Sequence, residues 1–135
     1  MLDEQSLLEA LRRHWDYSGV DEDIAGEIYH QDAVLEFPQS GERFEGLANF
    51  VEWRRQYPAK LKFHTRRIVQ RDDLVVVENV ISYDGGPWMY AVSIMEFRGE
   101  LVARERIYIM DPWEAPEWRQ PWRADGDADA PIPPP

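Results

Sequence analysis

Apolar residues first recur at helical spacing and later at strand spacing, and the change divides the chain into two halves. Leu7, Leu8, Leu11 and Trp15 are separated by Glu4, Glu9, Arg12 and Arg13, which predicts an amphipathic first helix. After Ser18 and Gly19, Asp21 is placed to cap a second short helix whose Ile24, Ile28 and Tyr29 share a face before Gln31 and Asp32 break the pattern. A strand from Ala33 to Phe37 ends at Pro38, and residues 39–46 read as a loop with a short extended piece. Leu47, Phe50, Trp53 and Tyr57 mark a third helix stopped by Pro58.

Beyond that proline, residues 61–71, 74–83, 88–98 and 101–110 are rich in β-branched and aromatic side chains and are joined by short polar or glycine turns. Four such segments in succession predict an antiparallel meander. Helices first and strands afterwards make an α+β architecture, about three helices packed on one side of a mostly antiparallel sheet. Residues 111–122 hold Trp113, Trp118 and Trp122 among prolines, a pattern expected of a strap packed on the body. One domain over residues 1–123 and a disordered acidic, proline-rich tail over 124–135 follow from the composition.

Strand alternation converts the meander into two faces. With Tyr83 set opposite Trp88 and Arg98 opposite Leu101, Asn79 meets Val92 and Ile94 meets Glu105. One face then carries Val77, Asn79, Ile81, Tyr83, Tyr90, Val92, Ile94, Glu96, Glu105, Ile107 and Ile109. The reverse face carries Val76, Glu78, Val80, Met89, Ala91, Ser93, Met95, Arg104, Arg106 and Tyr108, with Glu78, Ser93 and Arg106 in one row. Neither face is polar enough for plain water. Helices should cover the first face and a second copy of the chain the other, which predicts a homodimer.

Glu105 is the candidate with chemistry. A carboxyl among Ile94, Ile107 and tyrosines has its ionised form disfavoured by desolvation, the condition that suits general acid or base work. A ligand contact or a purely structural hydrogen bond would use the same position.

Composition removes several alternatives. Net charge is -11, from 15 basic against 26 acidic side chains, a poor basis for gripping a phosphate backbone, so no nucleic acid is expected. No cysteine is present, which excludes disulfides and thiolate chemistry. His14, His30 and His64 are too scattered for a metal motif, and Gly85 with Gly86 is a turn, not a phosphate loop. No metal or cofactor is expected. No stretch approaches the roughly 18 apolar residues of a membrane span, and the amino terminus lacks a basic segment followed by an apolar one, so a cytoplasmic protein is the default.

The stretch YHQDAVLEFP at 29–38, the helix around Trp53, the turn SYDGG at 82–86, and RERIY at 104–108 followed by Asp111, Pro112 and Trp113 resemble the SnoaL-like branch of the NTF2-like proteins. The resemblance spans roughly residues 5–120 and implies a cone-shaped fold, a curved, mostly antiparallel sheet with a central pocket and the ligand between sheet and helices. The superfamily includes polyketide cyclases, ketosteroid isomerases, epoxide hydrolases and binders without turnover, so activity does not follow from the fold. Limonene-epoxide-hydrolase-like members place an arginine and, two residues later, an aspartate where this chain has Asn79 and Ile81. Isomerase or cyclase chemistry needs one base and donors for an enolate, which Glu105 with Asn79, Tyr90 or Tyr83 would supply. The implied ligand is a mostly apolar cyclic or polyketide-like small molecule. In that fold Trp15, Tyr29, Phe37, Phe50, Trp53 and Tyr57 would roof or wall the pocket, with Trp53 and Tyr57 best placed to touch a ligand and Tyr83, Val92 and Ile107 also among its walls. Catalysis and binding without turnover both stay open on these residues.

Overall fold

A computed structural model describes residues 1–125, so the tail expected from residue 124 onward lies, apart from Ala124 and Asp125, outside the described residues. Helix α1 (Glu4–Tyr17) starts where the Asp3 carboxylate accepts from the Ser6 N–H at 2.8 Å, and it ends where Ser18 bonds the His14 carbonyl. Asp21 caps α2 (Glu22–Ala25), accepting from the N–H groups of Asp23 and Ile24, as its position predicts. A 3-10 turn over Gly26–Ile28 then leads into β1 (Tyr29–Phe37). Tyr29 therefore opens a strand, not the end of the second helix: pairing with Val102 of the last strand overrides the local helical spacing.

Strand β2 (Glu42–Glu45) folds back on β1, and α3 (Leu47–Arg55) follows. The meander is β3 (Leu61–Arg71), β4 (Leu74–Tyr83), β5 (Met89–Arg98) and β6 (Leu101–Met110), within two residues of the predicted bounds. The six strands lie in the order β2-β1-β6-β5-β4-β3, and only β1 with β6 runs parallel. The result is a curved, open mixed sheet with the helices on one face.

Register corrects the sequence reading on one strand. Asn79 pairs with Ala91 and Ile81 with Met89, one residue away from the expected match. The cause is the turn. Asp84 and Gly85 both take positive φ values, of 51° and 70°, and the Gly86 N–H bonds the Tyr83 carbonyl at 2.8 Å, a tight two-residue hairpin turn. Pro87 then has no N–H to give a ladder, and regular pairing resumes at Met89. A slip of one flips a strand. Ala91, Ser93 and Met95 point to the helix side, while Tyr90, Val92, Ile94 and Glu96 point away from it.

A second irregularity restores the next strand. Phe97 pairs with Val102 but Glu96 with Arg104, so Ala103 is an extra residue on β6 and Glu105 comes opposite Met95, facing inward. The expected Glu78, Ser93 and Arg106 row does not form. Glu78 instead sits beside Val92 and pairs with Arg67 at 3.3 Å.

Leu7 and Leu11 of α1 and Phe50 of α3 pack on Leu35, Val75, Val77, Met95, Phe97 and Val102, closing one end of the cone. The other end stays open between sheet and helices. The expected tryptophan strap does not return to the body: Trp113, Trp118 and Trp122 are 82%, 72% and 79% exposed. Pro112, Pro116 and Pro121 confine regular structure there to a 3-10 segment over Glu117–Trp122, whose Arg119 stacks on Trp118.

Candidate active site

The open end of the cone is a cavity of about 1160 Å³. Its walls are aromatic and aliphatic, with Trp15, Phe37, Phe44, Trp53, Tyr57 and Tyr83 among them. Tyr57 stacks on Tyr83 with ring centroids 6.2 Å apart. Burial, reinforced by Tyr57, pushes the Tyr83 hydroxyl up to about 12.

A hydrogen-bonded polar cluster is built around Glu105. Glu105 lines the cavity yet is only 1% exposed. One carboxylate oxygen accepts from the Tyr29 hydroxyl and the other from the Ser93 hydroxyl. Arg54 Nη1 donates to the Tyr29 oxygen at 3.3 Å, so Tyr29 links the guanidinium to the carboxylate. Burial alone would lower the Arg54 pKa, but the attraction of Tyr29 and Glu105 outweighs it and holds the group above its ordinary value. Desolvation is the main reason that the Tyr29 hydroxyl is pushed strongly upward, which keeps it a donor. The guanidinium also lies over the rings of Tyr29, Phe50 and Trp53, at 5.8, 5.5 and 5.8 Å from their centroids.

His14 closes this cluster from α1, its ring edge-on to Tyr29 at 5.5 Å. Its Nδ1 lies 2.6 Å from the Ala25 carbonyl, which can only accept, so that nitrogen carries the hydrogen. Burial pushes the His14 pKa down, helped by Arg54 and opposed by Glu105. Below about pH 6.5 the unfolded chain takes up a proton that the folded chain refuses, so stability falls as pH falls. Replacing His14→Asn, which keeps a donor toward Ala25, is expected to flatten the loss of unfolding free energy between about pH 6.5 and 5. An unchanged slope in urea titrations would remove His14 as its source.

Of the residues singled out from sequence, Trp15, Phe37, Trp53, Tyr57, Asn79, Tyr83, Glu105 and Ile107 line the cavity. Tyr29 does not; it stands behind the wall as a partner of Glu105. Tyr90 is corrected to the outer face, and Val92, although a neighbour of the cavity, is directed outward with Glu78 and Tyr108. Arg54, His14 and Ser93 were missed. The first two carried a signal: Arg54 continues the Leu47, Phe50, Val51 face of α3, and His14 the Leu7, Leu11 face of α1. Among the described residues no group of three or more histidine, aspartate or glutamate side chains is arranged to hold a metal ion, and no helix is long and apolar enough to cross a membrane.

Comparison with known proteins agrees with this fold. Residues 6–105 match the profile of the SnoaL-like domain. An NTF-2-like protein of unknown function from Burkholderia xenovorans is 42% identical, with 92% of this chain and 98% of that chain covered and a TM-score of 0.82. A ketosteroid isomerase candidate from Kribbella flavida, 20% identical, aligns over 94% of both chains with a TM-score of 0.80. An LEH-like epoxide hydrolase from M. tuberculosis, 16% identical, aligns over 78% of this chain and 83% of its own with a TM-score of 0.66. No curated protein matches the chain.

Proposed function

Since the chain belongs to the SnoaL-like domain family, we propose that its cavity takes a mostly apolar cyclic or polyketide-like molecule and isomerises or cyclises it by cofactor-free proton transfer. The observation that carries this reading is Glu105, a buried carboxylate on the cavity wall, clamped by two hydroxyls beside a guanidinium. Glu105 removes a proton from a carbon next to a carbonyl. The C–H electron pair moves to the carbonyl oxygen as an enolate, for which Arg54 is the nearby cation, and the proton returns from Glu105 to a different carbon. Hydrolysis of an epoxide finds less support, because Asn79 and Ile81 line the cavity where the resemblance would place an arginine and an aspartate.

Binding without turnover is the second reading. It is favoured by the fact that both Glu105 oxygens already accept a hydrogen bond, as they would in a structural clamp. Hydrogen exchange into a cyclic ketone separates the two. With 4-(4-hydroxyphenyl)cyclohexanone in heavy water, deuterium entry next to the carbonyl should be accelerated by the protein. Saturable binding with no acceleration would favour the binder.

A homodimer through the outer sheet face belongs to the same proposal. Val76, Tyr90, Val92, Ile94 and Tyr108 are half-buried there, with the helices on the opposite side. Sedimentation should give a dimer, and Ile94→Glu should shift it toward monomer. A monomer from the unmodified chain would overturn this arrangement.

A further inference from the structure

Two cavity residues carry buried polar atoms with no partner in the protein: the Trp53 indole Nε1 and the Asn79 amide oxygen. A third such atom, on Glu36, differs in kind, because that carboxylate pairs with Arg104 at 3.1 Å on the outer side of the sheet. A buried polar atom left without a hydrogen bond is costly, and folded proteins keep few of them. Trp53 and Asn79, unlike Glu36, both belong to the cavity lining.

The chemistry of each atom defines what it lacks. Indole Nε1–H can only donate, so it calls for an acceptor; an amide oxygen can only accept, so it calls for a donor. Asn79 is 3% exposed and shares a cross-strand row with Ala91 and Ile109, whereas Glu105 shares one with Met95. Four residues along the strands and two strands across place the Cα atoms of Asn79 and Glu105 about 16 Å apart, from rise and strand spacing. Asn79 therefore meets a different part of the ligand from Glu105. Trp53 precedes Arg54 on α3, on the helix side of the cavity.

We propose that Trp53 and Asn79 are specificity residues selecting an elongated, mostly apolar ligand with an acceptor oxygen for helix α3 and a separate hydroxyl or N–H donor for Asn79. This inference rests on the cavity being a small-molecule site and not on turnover there. A hydroxyketone has the required pattern. A hydrocarbon, or a ketone whose far end cannot donate, lacks it.

Matched probes test this on the unmodified chain. Dissociation constants would be measured by calorimetry for 4-(4-hydroxyphenyl)cyclohexanone, its methoxy analogue, 4-phenylcyclohexanone and 4-cyclohexylphenol. The hydroxyketone is expected to bind about 10-fold more tightly than the methoxy and phenyl analogues, which leave the Asn79 oxygen unpaired. Asn79→Leu should erase that gap. Trp53→Phe should weaken the hydroxyketone about 10-fold while leaving 4-cyclohexylphenol, which has no carbonyl, nearly unchanged. Equal affinities for the hydroxyketone and its analogues in the unmodified chain would overturn the inference while leaving the cavity reading intact. Failure of all four compounds to bind would overturn both. Repeating the series in Glu105→Gln keeps the outcomes apart, since selectivity should persist there even when exchange is lost.

Discussion

Glu105→Gln is expected to slow deuterium exchange into 4-(4-hydroxyphenyl)cyclohexanone by about 10²- to 10⁴-fold, the usual worth of a positioned general base, with the dissociation constant nearly unchanged. The substitution is close to isosteric. The amide oxygen can still accept from Tyr29, and the Ser93 hydroxyl can rotate to accept from the new amide N–H, so each hydrogen bond survives with its polarity adjusted. What disappears is the ability to take a proton. Exchange as fast as that of the unmodified chain would remove Glu105 as the base, and a matching loss of affinity would make it a ligand contact instead.

The largest loss of stability is expected at Phe50. The ring is fully buried, edge-on to Tyr29 at 5.1 Å and covered by the Arg54 guanidinium at 5.5 Å. Phe50→Ala deletes that surface and leaves a cavity between α3 and the sheet, for a cost of about 3–5 kcal/mol. Domains of this size have about 5–15 kcal/mol in total, so a large part of the margin would go. Tyr29 and Arg54 would lose the same support, and the clamp on Glu105 should loosen with them. A urea unfolding series would decide the matter, and a loss below about 1 kcal/mol would mean that the site collapses around the missing ring.

Sequence spacing was least able to fix which residues of β5 face inward. Hydrophobic and β-branched residues on β5 are continuous enough that either parity places apolar side chains on both faces: Val92 and Ile94 one way, Ala91 and Met95 the other. Parity was therefore set by the turn before it, where Asp84 and Gly85 form the hairpin and Pro87 delays the ladder. Tyr90 was lost from the site and Ser93 gained by that single residue. Glu105 kept its place because the extra residue at Ala103 flipped the parity back, so two local irregularities cancelled before β6.

Helix faces were legible in a different way. The repeat of Leu7 and Leu11 leads to His14, and that of Phe50 leads to Arg54, so the spacing alone puts a histidine and an arginine on core-facing stripes. An isolated titratable residue on such a stripe is ambiguous until its partner is known. For Arg54 the partner is Tyr29, distant in sequence and predicted as the end of a helix.

The amino-acid sequence by itself therefore determined where the helices and strands lie and that side chains alternate along each strand, because hydrophobic periodicity is local. The inward face expected for Glu105 held only because a register slip and a bulge cancelled. Only the tertiary structure decided what surrounds that carboxylate. Tyr29, Ser93 and Arg54 come from β1, β5 and α3, and their meeting depends on strand order, a delayed ladder and a bulge, which act between segments and leave little trace within any one of them.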